Sequence, residues 1–142
     1  MGVVILRSLS MEQPSSNRTF LFSDAINSQY IIELYAGDYV MIEETFTDVL
    51  NEYEGFVQRI VTSFQEKDRP SLKSAVHKIK PLFGFVGLTP LQSLCLQFEN
   101  SCLDAPDDQL ESSFSALREH LTEARAIIEK EKFRLIEFNR QG

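Results

Sequence analysis

The chain has 142 residues, of which 43% are hydrophobic and 25% charged, the composition of one ordinary globular domain. Its formal net charge of −7 at pH 7 argues against general binding to nucleic acid, which is itself a polyanion. No apolar stretch reaches the roughly 20 residues that a membrane-spanning helix needs, so we expect no membrane partner.

Residues 1–21 carry the weakest structural pattern. The apolar run Val3–Leu6 is too short for the core of a secretory signal, and Gln13–Asn17 is typical of a loop. We therefore predict a loop-like leader over residues 1–21 and a single helical domain over residues 22–142.

Five helices are predicted along the rest of the chain. Caps and breaks mark their ends: Ser23 or Asp24 for the first helix, Asp38 for the second, Pro70 for the third and Thr89 for the fourth. Gln92 is expected to close a capping box with Thr89. The predicted ranges are about 24–36, 39–66, 70 to between 84 and 87, 89 to about 103, and 107–139.

Apolar residues recur at steps of three and four through the four longer helices, and the breaks between these helices are short. Both features favour helices that pack side by side in alternating directions. We therefore predict an all-α fold, an antiparallel four-helix bundle with an additional short N-terminal helix covering one end.

Cys95 and Cys102 lie seven residues apart on the predicted fourth helix. Their Cα atoms would be about 10 Å apart along a helix, too far for a disulfide. We interpret both as buried thiols in a reducing compartment, and we expect a cytoplasmic protein.

The third helix presents a histidine on its outer face. The apolar stripe of this helix comprises Leu72, Val76, Ile79, Phe83 and Val86. His77 falls about 140° from the centre of that stripe, so we expect the ring to be exposed. Lys73 and Lys80 stand at i−4 and i+3 from His77 and share its face, which places two ammonium groups beside the imidazole.

Three interpretations of His77 compete. A solvated surface histidine is the commonest case for any single histidine. A metal ligand is disfavoured, because the lysines repel cations and no His, Cys or Asp stands at i±3 or i±4. A phosphoryl carrier fits best, since Lys73 and Lys80 would stabilise a phosphoryl group on the ring. Gly84, one turn beyond Lys80, removes bulk and would let another protein approach.

The pattern His77-Lys78-Ile79-Lys80-Pro81…Gly84…Gly87 resembles the core motif of histidine-containing phosphotransfer (HPt) domains, His-x-Leu-Lys-Gly-Ser followed by a small residue and a glycine. A second stretch, Leu91…Leu94-Cys95…Phe98-Glu99, is similar to the next helix of that family. The resemblance extends roughly from residue 22 to residue 138.

The resemblance implies a role for each matching position. His77 would be the phosphoacceptor, Lys80 would stabilise the phosphorylated ring, and Gly87 would end the helix. Gly84 would be the position of close approach, with Lys78 and Pro81 beside it on the face that docks a partner. Lys73 is a second candidate for stabilising the phosphoryl group.

By the same resemblance, the chain would be a phosphorelay intermediate, accepting a phosphoryl group from an aspartate of one receiver domain and passing it to another. Its partners would be response-regulator receiver domains and a sensor or hybrid histidine kinase. It would need no cofactor of its own, because Mg²⁺ is expected in the partner receiver domain. We expect a monomer that is not an enzyme by itself, since the sequence has no glycine-rich phosphate loop.

Two alternatives remain open at this point. Pro81 stands where the family usually has glycine, and it removes the N–H group that would bond the carbonyl of His77. A helical module that docks receiver domains but has lost phosphotransfer is therefore the first alternative. The second is a metal protein or enzyme built in the bundle core, although the sequence contains no Glu-x-x-His pair of the di-metal bundles.

Overall fold

The computed structural model describes residues 18–141 and contains five helices over that range. They are α1 (Ser28–Leu34), α2 (Tyr39–Gln65), α3 (Arg69–Phe85), α4 (Thr89–Ser101) and α5 (Asp107–Gln141). The prediction of an all-α chain is confirmed.

Helices α2 to α5 form the bundle. Helix α2 packs against α3 and α5, and α4 packs against α3 and α5, so that the four helices surround one core. The α2–α5 contact includes the Tyr53 hydroxyl, which donates to the carbonyl of Leu121 at 2.6 Å. Tyr53 lies at the middle of α2, and near the C-terminal end of α2 the rings of Phe64 and Phe114 stack with centroids 3.8 Å apart. These pairings run in opposite sequence directions and confirm the antiparallel arrangement.

Helix α1 covers the end of the bundle where α3 turns into α4. The backbone N–H of Asn27 donates to the carbonyl of Gly87 at 2.9 Å, and Ile31 is fully buried. The prediction that α1 starts at residue 24 with a cap at Ser23 or Asp24 is wrong. Residues 23–26 form a turn, and the side chain of Asn27 caps α1 by accepting from the N–H of Tyr30.

The predicted cap of α2 is confirmed, because the Asp38 carboxylate accepts from the N–H of Met41 at 3.0 Å. The predicted capping box of α4 is wrong. Leu88 occupies the cap position without a side-chain hydrogen bond, and Thr89 is already helical. Gln92 does not cap the helix because its side chain lies against Gly84 of α3.

The chain before α1 packs on α5. Phe20 is buried, and the N–H of Ser23 donates to the carboxylate of Glu131 at 2.7 Å. Glu131 is itself buried and accepts from Arg134 at 2.6 Å. The packed region therefore includes Phe20, which the predicted boundary at residue 22 left in the leader; residues 1–17 of that leader lie outside the described residues.

No helix within residues 18–141 has the length and apolarity needed to cross a membrane. Within the same residues, no cluster of three or more His, Cys, Asp or Glu side chains is arranged to hold a metal ion.

Candidate functional site

His77 lies near the middle of α3 with its ring directed away from the core, as the helical spacing predicts. Its side chain is 68% exposed, whereas its neighbour Val76 is fully buried. Helix α3 continues without a break from Arg69 to Phe85 through Pro81, which is exposed on the outer side of the helix. The proline therefore does not end the helix that carries the histidine.

A carboxylate from α4 holds the ring. Oε1 of Glu99 lies 2.8 Å from Nδ1 of His77, and Oε2 of Glu99 lies 2.7 Å from Nζ of Lys80. The Glu99 side chain is only 6% exposed and that of Lys80 only 19%. Glu99 thus joins the histidine and the lysine through its two oxygens.

The antiparallel packing of α3 and α4 places Glu99 opposite His77. Glu99 shares the inner face of α4 with Cys95 and Cys102, at i−4 and i+3. A buried carboxylate without a partner would be strongly destabilising, and the Lys80 ammonium compensates its charge. The Lys80–Glu99 ion pair therefore allows a negative charge to lie directly behind the imidazole.

This contact determines which ring nitrogen can act as a nucleophile. An ionised carboxylate only accepts hydrogen bonds, so Nδ1 of His77 donates its hydrogen to Glu99. In the neutral imidazole, the other nitrogen, Nε2, then carries the free lone pair. The exposed ring is therefore oriented for attack through Nε2.

Burial also affects the thiol one turn from Glu99. The pKa of Cys95 is raised to about 12, first by desolvation and second by the negative charge of Glu99, while Lys80 opposes the shift. Both Cys95 and Cys102 are free and buried. Neither thiol is placed to react in the manner of a low-pKa cysteine.

Lys73 and Lys78 lie on either side of His77 along α3. Lys73 is half-buried and Lys78 is exposed. Neither makes an ion pair within residues 18–141, which distinguishes both from Lys80. Of the two lysines that the sequence places beside the ring, only Lys80 is linked to it through Glu99.

The two glycines of the motif serve the packing of this chain. A Cβ atom at Gly84 would lie 2.9 Å from Nε2 of Gln92, so the missing side chain makes room for Gln92. Gly84 is accordingly buried. Gly87 follows α3 with φ of +76°, a backbone conformation that residues other than glycine rarely adopt.

Glu99 is the site residue that the sequence interpretation missed. Glu99 belongs to the stretch that resembles the next helix of the HPt family, but the resemblance implied no role for it. A signal was present, since Leu91, Cys95, Phe98 and Cys102 form the apolar face of α4 and Glu99 lies on that face. A carboxylate on a buried face requires a partner, and His77 and Lys80 are those partners.

Comparisons with known proteins identify the family and support the fold. The family model described as Hpt domain matches residues 44–127, more than half of the chain. A crystal structure of the HPT domain from a sensor hybrid histidine kinase of Shewanella superposes with a TM-score of 0.64. Sequence identity is 20%, and the match covers 75% of this chain and 92% of that chain, which supports a shared fold. The comparison with curated proteins finds no match.

The solved domain thus shares the helical architecture, and the family match includes α3 and α4, which carry His77, Lys80 and Glu99. The chain belongs to the Hpt domain family of two-component phosphorelay signalling.

Proposed function

We propose that this protein is a phosphorelay intermediate that carries a phosphoryl group on Nε2 of His77. The observation that carries the proposal is the 68% exposed ring whose Nδ1 lies 2.8 Å from the buried carboxylate of Glu99. The carboxylate orients the ring and leaves Nε2 free on the side that another protein can reach.

In the forward step, the Nε2 lone pair attacks the phosphorus of an aspartyl phosphate in a receiver domain. The N–P bond forms, the P–O bond to the aspartate breaks, and the aspartate leaves as a carboxylate with the electron pair. The ring keeps its Nδ1 hydrogen and gains positive charge, which the Glu99 carboxylate stabilises through its hydrogen bond. Attack by an aspartate of a second receiver domain reverses these bond changes.

Lys80 contributes a positive charge beside the negative carboxylate of Glu99. Its Nζ lies 2.7 Å from Oε2 of Glu99, on the same side of α3 as the ring. It offsets the repulsion between that carboxylate and an incoming phosphoryl group, and Lys73 adds a second positive charge one turn away. We infer that the protein does not turn over alone, that Mg²⁺ belongs to the receiver domain, and that the relay operates in the cytoplasm as a monomer.

The test is transfer of labelled phosphoryl groups from purified, phosphorylated receiver domains of the source organism. The wild-type protein is expected to acquire a label that acid removes, as a phosphoramidate requires. His77→Gln is expected to fold normally and acquire none. His120→Gln is the matched control because His120, the other histidine of the chain, is exposed on α5, and it should accept label at the wild-type rate.

Label on His77→Gln at the wild-type level would reject the site. Receiver domains that bind the wild-type protein without transferring label would instead support the alternative function, a docking module without phosphotransfer. Pro81, in place of the glycine usual in this family, is the feature that motivates this comparison.

A further inference from the structure

A groove runs between α2 and α3 beside His77. It has a volume of about 560 Å³ and is lined by residues that include Gly55, Arg59, Thr62, Ser71, Ser74 and Lys78. Ser74, a lining residue of the groove, stands at i−3 from His77, so the groove borders the face of α3 that presents the ring. A protein docked over His77 would therefore cover this groove as well.

The groove is basic although the chain is acidic. The chain has a formal net charge of −7, whereas Arg59 and Lys78 line the groove and no carboxylate is among its lining residues. Neither cation makes an ion pair within residues 18–141. Two uncompensated cations beside the reacting ring favour a partner whose facing surface is acidic.

Gly55 gives an independent reason to expect a partner in this groove. It lies inside α2, where glycine destabilises a helix by about 1 kcal/mol relative to alanine. Its φ is not positive, and a Cβ atom built there would have no neighbour within 4 Å, so packing within this chain does not require glycine. Gly55 precedes Arg59 by one turn, and its missing side chain keeps the groove open next to that cation.

Resting on the proposed function, we infer that this groove, defined by Gly55, Arg59 and Lys78, is the docking site for the acidic rim of the receiver domain's active site. A receiver domain needs carboxylates around its phosphorylated aspartate to hold Mg²⁺, which makes that rim the complementary surface. The space left by the missing side chain is therefore open at Gly55, whereas at Gly84 the side chain of Gln92 from the same chain fills it.

The test measures the Kd between the 142-residue protein and purified, unphosphorylated receiver domains of the source organism. Arg59→Glu is expected to weaken binding about tenfold, with a smaller effect at high salt, because charge attraction is screened. Arg118→Glu is the matched control: Arg118 is exposed on α5, outside the groove, and makes no ion pair within residues 18–141. It should change Kd less than about twofold.

Gly55→Leu separates docking from folding. The substitution improves helix propensity, and its Cβ would have no neighbour within 4 Å, so its melting temperature should equal or exceed that of the wild type. Its binding should nevertheless weaken about tenfold, because the leucine fills the space that the partner needs.

The results distinguish this inference from the proposed function. Wild-type affinity in both Arg59→Glu and Gly55→Leu would overturn the docking site while leaving transfer to His77 intact. Weaker binding of both variants, without label on the wild-type protein, would support the docking site and reject phosphotransfer. Failure of the wild-type protein to bind any receiver domain would overturn both.

Discussion

Glu99 lies 22 residues after His77 and on a different helix, yet its Oε1 is 2.8 Å from Nδ1 of the ring. A single carboxylate thereby fixes the ring orientation, and the same carboxylate is neutralised by Lys80. A hydrogen bond and an ion pair thus join the three side chains into one unit, in which a single ring nitrogen is left for chemistry. Each of the three contributes differently, and substitutions separate their contributions.

Removing the Glu99 carboxylate is expected to release the ring. In Glu99→Ala, the hydrogen on Nδ1 has lost its acceptor and is free to move to Nε2, which blocks the nucleophilic lone pair. Phosphoryl transfer should slow about tenfold, the equivalent of one hydrogen bond to a charged group. Nitrogen-15 chemical shifts of the imidazole report the fraction of each tautomer directly.

Glu99→Gln serves as the control for this experiment. The glutamine oxygen still accepts from Nδ1, so the tautomer should remain as in the wild type even though the charge is lost. An Nδ1–H tautomer that persists in Glu99→Ala would show that Glu99 does not position the ring.

Lys80→Ala should affect both stability and transfer. It leaves Oε2 of a carboxylate that is 6% exposed without its ammonium partner, at a cost of about 3–5 kcal/mol in the free energy of unfolding. Transfer should slow more than in Lys73→Ala, because Lys73 is not linked to the ring through Glu99. Urea unfolding and label transfer measured on both variants check this order, and equal losses in the two would argue against a special role for Lys80.

The backbone at Gly87 explains a different requirement of the motif. A Cβ atom there would lie 2.5 Å from Cγ1 of Ile31 and 2.9 Å from Cγ2 of Ile26, in addition to adopting φ of +76°. We expect Gly87→Ala to lower the free energy of unfolding by about 3 kcal/mol or more. Gly37 has a similar φ of +70° but no atom within 4 Å of an added Cβ, so Gly37→Ala should lose only about 1 kcal/mol.

Comparing the two alanine variants isolates the contact with α1 from the backbone strain. Equal losses in urea unfolding would mean that α1 moves away from the bundle end without cost, contrary to the buried position of Ile31.

The thiol of Cys95 predicts how stability depends on alkaline pH. Burial raises its pKa from 9.0 to about 12, so in this interval the unfolded chain loses the proton while the folded chain keeps it. The unfolded state is then favoured, and the free energy of unfolding should fall as pH rises, by up to about 1.4 kcal/mol per pH unit.

Urea unfolding of the wild type and of Cys95→Ala, at about pH 8 and about pH 10, measures this contribution. The loss between the two pH values should be smaller in the alanine variant. An identical loss in both proteins would assign the alkaline sensitivity to other groups, such as Tyr53, whose pKa is also raised by burial.

Periodicity was sufficient to predict the bundle and the exposure of His77, because both follow from positions along a single helix. The start of α1 was predicted wrongly because it depends on distant contacts: the N–H of Ser23 bonds Glu131, which is far along the chain on α5. Residues 23–26 therefore form a turn, and Asn27 replaces the expected caps.

The same limit explains the missed carboxylates. Glu99 and Glu131 both lie on the buried faces of their helices, and both are held by partners on other segments. Helical spacing identifies such residues as exceptions to an apolar pattern. The register between two packed helices decides which side chain forms a hydrogen bond or ion pair with them. The occupation of the space at Gly84 by Gln92 depends on this register as well.

The account depends most directly on which atom receives the phosphoryl group. The protein is phosphorylated by a receiver domain and measured by two-dimensional hydrogen–phosphorus correlation NMR. The couplings between phosphorus and the hydrogens on the two ring carbons identify the atom that carries the phosphoryl group. We predict a single phosphoryl group bonded to Nε2 of His77, with the hydrogen on Nδ1 retained by Glu99. A phosphoryl group on Nδ1, or on any other side chain, would contradict the account.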